Sequence, residues 1–147
     1  MGWVPRYSGS DEMHGCIWLP RMIDKARRVF PGAGNLIDGE YMFGENDYAD
    51  SRLLKFLGIS QAQFLDAVRA EPDDERAGAR ILDMSGKTPA ECAAFRRRFL
   101  MQTGIFLPMM DADEGRRSPG AWTSFLRWFY NVAIAVPAIA WFRRSDR

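Results

Sequence analysis

Arg21 and Lys25 stand four residues apart. On a helix they share one face, and a phosphate or a carboxylate can sit between them. Asp24 lies beside them, and Glu40, Tyr41 and Asp47 follow in a Gly-rich stretch. In that set Tyr41 offers a proton donor and Glu40 a base. The chemistry available is therefore anion binding or acid–base work on a small molecule. A plainer reading competes with it. Arg21 and Asp24 can pair with loop carboxylates and hold the Gly-rich loop against the helix, which is what most such charges do. The plainer reading is preferred, and no residue is assigned a catalytic role.

Other chemistry-bearing residues are sparse. His14 is the only histidine and lies close to Cys16, but one His and one Cys cannot close a zinc site. Asp111-x-Asp113-Glu114-Gly115 carries oxygen ligands without the full grammar of a calcium loop, so it reads as a charged or capping loop. Gly32-x-Gly34 lacks the strand, the third glycine and the acidic partner of a dinucleotide fold. Arg96, Arg97 and Arg98 form a basic triplet whose default reading is a solvated helix face. In a membrane protein it becomes a candidate for anionic headgroups. No cofactor and no metal is expected.

The elements that must position these residues are mostly helices. Pro20 suits the first turn of a helix running to about Phe30. Met22, Ile23, Ala26, Val29 and Phe30 fall on its apolar face, with Arg21, Asp24, Lys25 and Arg28 on the others. The stretch from Leu36 to Asp47 has room for a short extended pair. Asp50 is placed to cap a helix through Leu57, which Gly58 ends. Ser60-x-x-Gln63 is a capping box for a helix with Phe64, Leu65 and Val68 inward. Pro72, Asp73, Asp74 and Glu75 open another, their charges matching its positive end. Thr88-Pro89-x-Glu91 is a second capping box. Its helix buries Cys92, Phe95, Phe99 and Leu100, exposes the arginine triplet and stops at Gly104. Ile105 to Gly115 reads as turn-rich, and Ser118-Pro119 caps a final helix.

That final helix, Trp122 to Phe142, has Arg127 as its single charge. At ~1.5 Å per residue it spans roughly 30 Å, the thickness of a bilayer's hydrocarbon core. Trp122, Trp128, Tyr130 and Trp141 sit toward its ends as membrane-interface aromatics, and Arg143 and Arg144 close it. Arg127, Asn131, Ala135 and Ala138 form one stripe of small and polar residues, the kind one membrane helix offers to another. Val132, Val136 and Ile139 cover other faces. Pro137 and the short uncharged run, Trp128 to Phe142, leave room for a buried core or dimer helix. The absence of a charged face from Trp128 to Phe142 favours the membrane.

Composition bounds the rest. The chain has 147 residues, 20 Lys and Arg against 19 Asp and Glu, and a net charge of +1. The body is near neutral, while the tail holds Arg127, Arg143, Arg144 and Arg147 against Asp146 alone. A nucleic-acid binder would show a basic surplus on its folded domain, so no nucleic-acid partner is expected. Two cysteines make no disulfide framework. Met1 to Ser10 lacks the apolar core of a signal peptide.

One resemblance is specific. Cys16-Ile-Trp-Leu-Pro-Arg-Met-Ile-Asp-Lys-Ala-Arg27, then Gly39-Glu-Tyr41, then Arg52-Leu-Leu-Lys-Phe-Leu-Gly-Ile59, resembles the bacterial domain-of-unknown-function family numbered 5069. The string from Trp18 to Arg27 carries most of it, and Met110-Asp-Ala-Asp-Glu-Gly115 is similar to the end of some members. The resemblance covers residues 13 to about 115. It implies a small, mostly helical cytosolic domain and brings no reaction or ligand with it. Phe43 to Asp50 departs from the family's usual wording, and the tail lies outside the pattern, like an added module.

The expectation is a mainly α protein: a small helical soluble domain over 1–118, then one C-terminal hydrophobic, transmembrane helix within 119–147. Its expected role is a non-catalytic accessory or scaffolding subunit on the cytoplasmic face of the inner membrane. Its partners there are the lipid bilayer and the transmembrane helices of a larger membrane protein complex. The alternative is a cytosolic enzyme or small-ligand binder using Arg21, Asp24, Lys25 and Tyr41, with the tail as a core or dimer helix.

Overall fold

In a computed structural model, residues 3–29, 36–37, 41–104 and 106–116 are described. The tail residues singled out above, Trp122, Arg127, Trp128, Tyr130, Asn131, Ala135, Ala138 and Trp141, lie outside them, as does Glu40. Among the described residues no helix is long and apolar enough to cross a membrane. The chain divides into two compact units, Met1–Thr103 and Gly104–Arg147.

The first unit is mainly helical. A short hairpin, β1 (Glu12–Met13) against β2 (Cys16–Ile17), leads into α1 (Leu19–Ala26). A second antiparallel pair follows, β3 (Leu36–Ile37) with β4 (Tyr41–Met42), as the Gly-rich stretch allows. After a 3-10 turn at Gly44–Asn46 come α2 (Tyr48–Leu57), α3 (Gln61–Ala70), α4 (Asp74–Ser85) and α5 (Pro89–Thr103). In the second unit the described element is α6 (Phe106–Asp113).

Local chemistry explains most boundaries. Ser60 Oγ accepts the Gln63 N–H at 3.2 Å while Gln63 Oε1 accepts the Ser60 N–H at 2.8 Å, the reciprocal pair its sequence predicts. Asp73 accepts the Arg76 N–H at 2.9 Å and so starts α4. Thr88 and Glu91 make the box at α5: Oγ1 accepts the Glu91 N–H at 3.3 Å and Glu91 Oε2 accepts the Thr88 N–H at 2.8 Å. Gly58 ends α2 in the left-handed region at φ +70°.

Three expectations are corrected. Asp47, not Asp50, caps α2, its Oδ1 accepting the N–H of Ala49 and of Asp50 at 2.9 Å each. Helix α1 stops at Ala26 rather than near Phe30, and Arg28 and Val29 close it with turn bonds to Lys25 and Ala26. The stretch read as turns contains α6, because Pro108 falls in the first turn, where a backbone N–H has no helical partner to lose.

The core of the first unit gathers Trp18, Leu19, Met22 and Ile23 around Phe43, Leu53, Phe64, Ile81 and Phe99, all 2% exposed or less. Each such side chain contributes about 1.5–3 kcal/mol of burial. Gly78 lets α4 approach the β1–β2 hairpin closely: a Cβ there would lie 2.5 Å from the Met13 sulfur.

Candidate functional site

The string Trp18-Leu-Pro-Arg21-x-x-x-Lys25 folds so that three polar side chains enter the core from one turn and one helix. Trp18 precedes α1 with φ +70°, a left-handed conformation that costs a bulky residue roughly 1–3 kcal/mol. Its carbonyl accepts the first helical bond from Met22 at 3.0 Å. Its indole N–H donates to Asp50 Oδ1 at 2.7 Å. Lys25 is 2% exposed, and its Nζ lies 2.7 Å from Asp50 Oδ2 and 3.4 Å from Asp47 Oδ2. The ammonium also sits 5.7 Å from the Trp18 ring centre. The Gly44 N–H donates to Asp50 Oδ2 at 2.9 Å.

Asp50 is wholly buried and accepts from an indole, an ammonium and a backbone amide. Burial pushes its carboxyl up, to about 6, against the lowering pull of Lys25 and Trp18. At neutral pH it is ionised and paired. Gly44 is required at this point: at φ +77°, any Cβ would lie 1.9 Å from Gln61 Oε1, which itself accepts the Glu45 N–H.

Arg21 is 1% exposed and donates to the Tyr7 carbonyl at 2.8 Å. Its guanidinium lies 5.2 Å from the Trp18 ring and 5.9 Å from the Tyr41 ring. Tyr41 is half-buried, with Trp3 set edge-on against it at 5.5 Å. Asp24 accepts the Arg6 backbone N–H at 2.6 Å, so its partner is the N-terminal segment rather than a loop cation. Arg21 and Lys25 thus share a helix face, that face is core, and both cations lie by the Trp18 ring. Lys25 binds the carboxylates of Asp47 and Asp50.

A second polar region lies where the N-terminal segment meets the end of α1 and the start of α4. It is an open cleft lined by Arg6, Tyr7, Asp24, Arg27, Asp74 and Glu75. Arg27 spends its guanidinium on the Val68 carbonyl at 2.6 Å, the Glu71 carbonyl at 2.7 Å and Asp74 at 3.0 Å. Arg6 also pairs with Asp74. His14 Nε2 meets the Glu75 carbonyl at 2.9 Å. These bonds fasten α1 to α3 and α4. Among the described residues no three His, Cys, Asp or Glu gather as a metal-ligand set.

Two cysteines are buried as well. Cys16 on β2 and Cys92 on α5 are free thiols, 0% and 2% exposed. Burial pushes both thiols up, so neither is a ready nucleophile. Sequence reasoning missed Trp18, Asp50 and Gly44 as members of the buried cluster. A signal existed in Asp47-x-x-Asp50, since a helix takes one side-chain cap and the second carboxylate must find other work.

Compared with known proteins, the chain matches the model of the family described as Domain of unknown function (DUF5069) over residues 4–116. Neither the curated proteins nor the solved structures include a match. The chain belongs to that family, and the matched residues span both polar regions.

Proposed function

We propose that this DUF5069 chain is a non-catalytic, membrane-tethered accessory subunit. In this reading residues 1–118 form a helical cap at the cytoplasmic face of the inner membrane, and a hydrophobic helix within 119–147 anchors it. The anchor packs on transmembrane helices of a larger complex along Arg127, Asn131, Ala135 and Ala138. The observation that carries the proposal is a contrast. Lys25 and Asp24, central to the enzyme or ligand-binder alternative, already hold Asp50 and the Arg6 backbone, whereas Trp122–Phe142 has one charge and no polar face to keep in water.

The test is extraction of the full chain from membranes with alkaline carbonate. Retention in the pellet is the expected result. Release into the supernatant would overturn the proposal and return the tail to a core or dimer role.

A further inference from the structure

The outward faces of α2 and α5 carry a group of cations. Several described cations have a carboxylate to hold: Arg27 has Asp74, Arg80 has Glu71, and Arg96 has Glu12. Arg52 and Lys55 on α2, with Arg97 and Arg98 on α5, have none among the described residues. Arg52 donates only to neutral groups, the Gln102 amide oxygen and the Tyr48 hydroxyl. That first bond ties α2 to α5, and the stack of Phe56 on Phe95, 4.3 Å between centres and 8° from parallel, ties them again. The four cations therefore belong to two helices that touch each other.

Met101 stands one helical turn beyond Arg97 and Arg98 and is 84% exposed. Tyr48, beside Arg52, is 59% exposed. We propose that this face, formed by Arg52, Lys55, Arg97 and Arg98 around Met101, lies against an anionic lipid bilayer. Guanidinium groups meet lipid phosphates by charge-assisted hydrogen bonds, and the thioether enters the boundary between headgroups and acyl chains. An exposed methionine among cations gains nothing from a nucleic-acid backbone, which favours the lipid. The inference rests on the membrane-tethered reading for the presence of a bilayer.

The test uses the full chain carrying M101C in vesicles of phosphatidylcholine with or without phosphatidylglycerol. A water-soluble maleimide reports the introduced thiol, since Cys16 and Cys92 are buried. On vesicles containing phosphatidylglycerol, labelling is expected to be about tenfold slower than on neutral ones. High salt and the further change R97Q/R98Q should each restore the neutral rate, because screening or removing the charges removes the attraction. Equal rates on both vesicles would overturn the proposal, and so would equal protection by RNA without lipid. Its fate is separable from that of the tether. Carbonate retention with equal labelling rates sinks only the lipid-facing surface. Carbonate release from a chain that anionic vesicles still protect sinks only the anchor.

Discussion

Replacing Lys25 by Met tests the buried cluster most directly. The side chain keeps its length and apolar stem but loses the ammonium that lies 2.7 Å from Asp50 Oδ2. Asp50 is 0% exposed, so its carboxylate is left in the core with an indole and one amide for company. Removing one partner of a buried ion pair costs about 3–5 kcal/mol, most of it the desolvation of the charge that remains. Urea unfolding of the full chain, followed by circular dichroism at pH 7.5, should show a loss of that size. Adding Asp50→Asn should then recover part of it, giving a coupling of roughly 1–3 kcal/mol between the two positions. The pH dependence has a definite sign. Burial holds the Asp50 carboxyl near 6, above its ordinary 3.8, and without Lys25 it rises further. A carboxyl raised in the folded state favours folding below its unfolded value, and that contribution is lost as pH rises through the folded value. The deficit of Lys25→Met should therefore shrink at pH 5 and be largest at pH 7.5. A variant within about 0.5 kcal/mol of wild type at both pH values, on the scale of an ordinary surface substitution, would refute the buried pair.

Two further outcomes follow from the geometry, and a third from the proposed tail helix. Gly44→Ala should destabilise the unit by about 1–3 kcal/mol in the same assay, since φ is +77° and Gln61 fills the space of the new methyl. Native Cys16 and Cys92 should resist iodoacetamide until the protein unfolds, so alkylation measured against time should follow the unfolding rate; fast labelling of native protein would contradict their burial. On the tail, Ala135→Leu with Ala138→Leu should leave the chain in membranes but release it from its complex on co-purification, whereas Val132→Leu with Val136→Leu should do neither.

Helix starts were the legible part of this fold. Ser60 with Gln63, Asp73 before Asp74, and Thr88 with Glu91 each satisfy backbone donors within four residues, so the sequence neighbourhood contains both partners. The end of α1 was less legible, because Val29 continues the apolar spacing while Arg28 and Val29 already make tight turn bonds to Lys25 and Ala26. Helix α6 hid behind Pro108, whose helix-breaking reputation does not extend to the first turn.

The candidate site was half legible, for a reason rooted in electrostatics. Helical spacing places Arg21 and Lys25 on one face and Met22 and Ile23 on another, and charge then suggests that the first face is wet. That inference fails when a charged group finds a full set of partners far away in sequence. Asp50 is 25 positions from Lys25 and 32 from Trp18, and Tyr7 is 14 from Arg21. No local pattern records such distances. The same string from Trp18 to Arg27 that carries the family resemblance supplies the indole, the guanidinium and the ammonium of the cluster. A left-handed Trp18 and a wholly buried carboxylate are costly unless each group holds another in place. Trp18 orients Asp50, Asp50 neutralises Lys25, and the Gly44 amide closes the set. Such a string works as a determinant of the fold, joining α1 to the turn before α2.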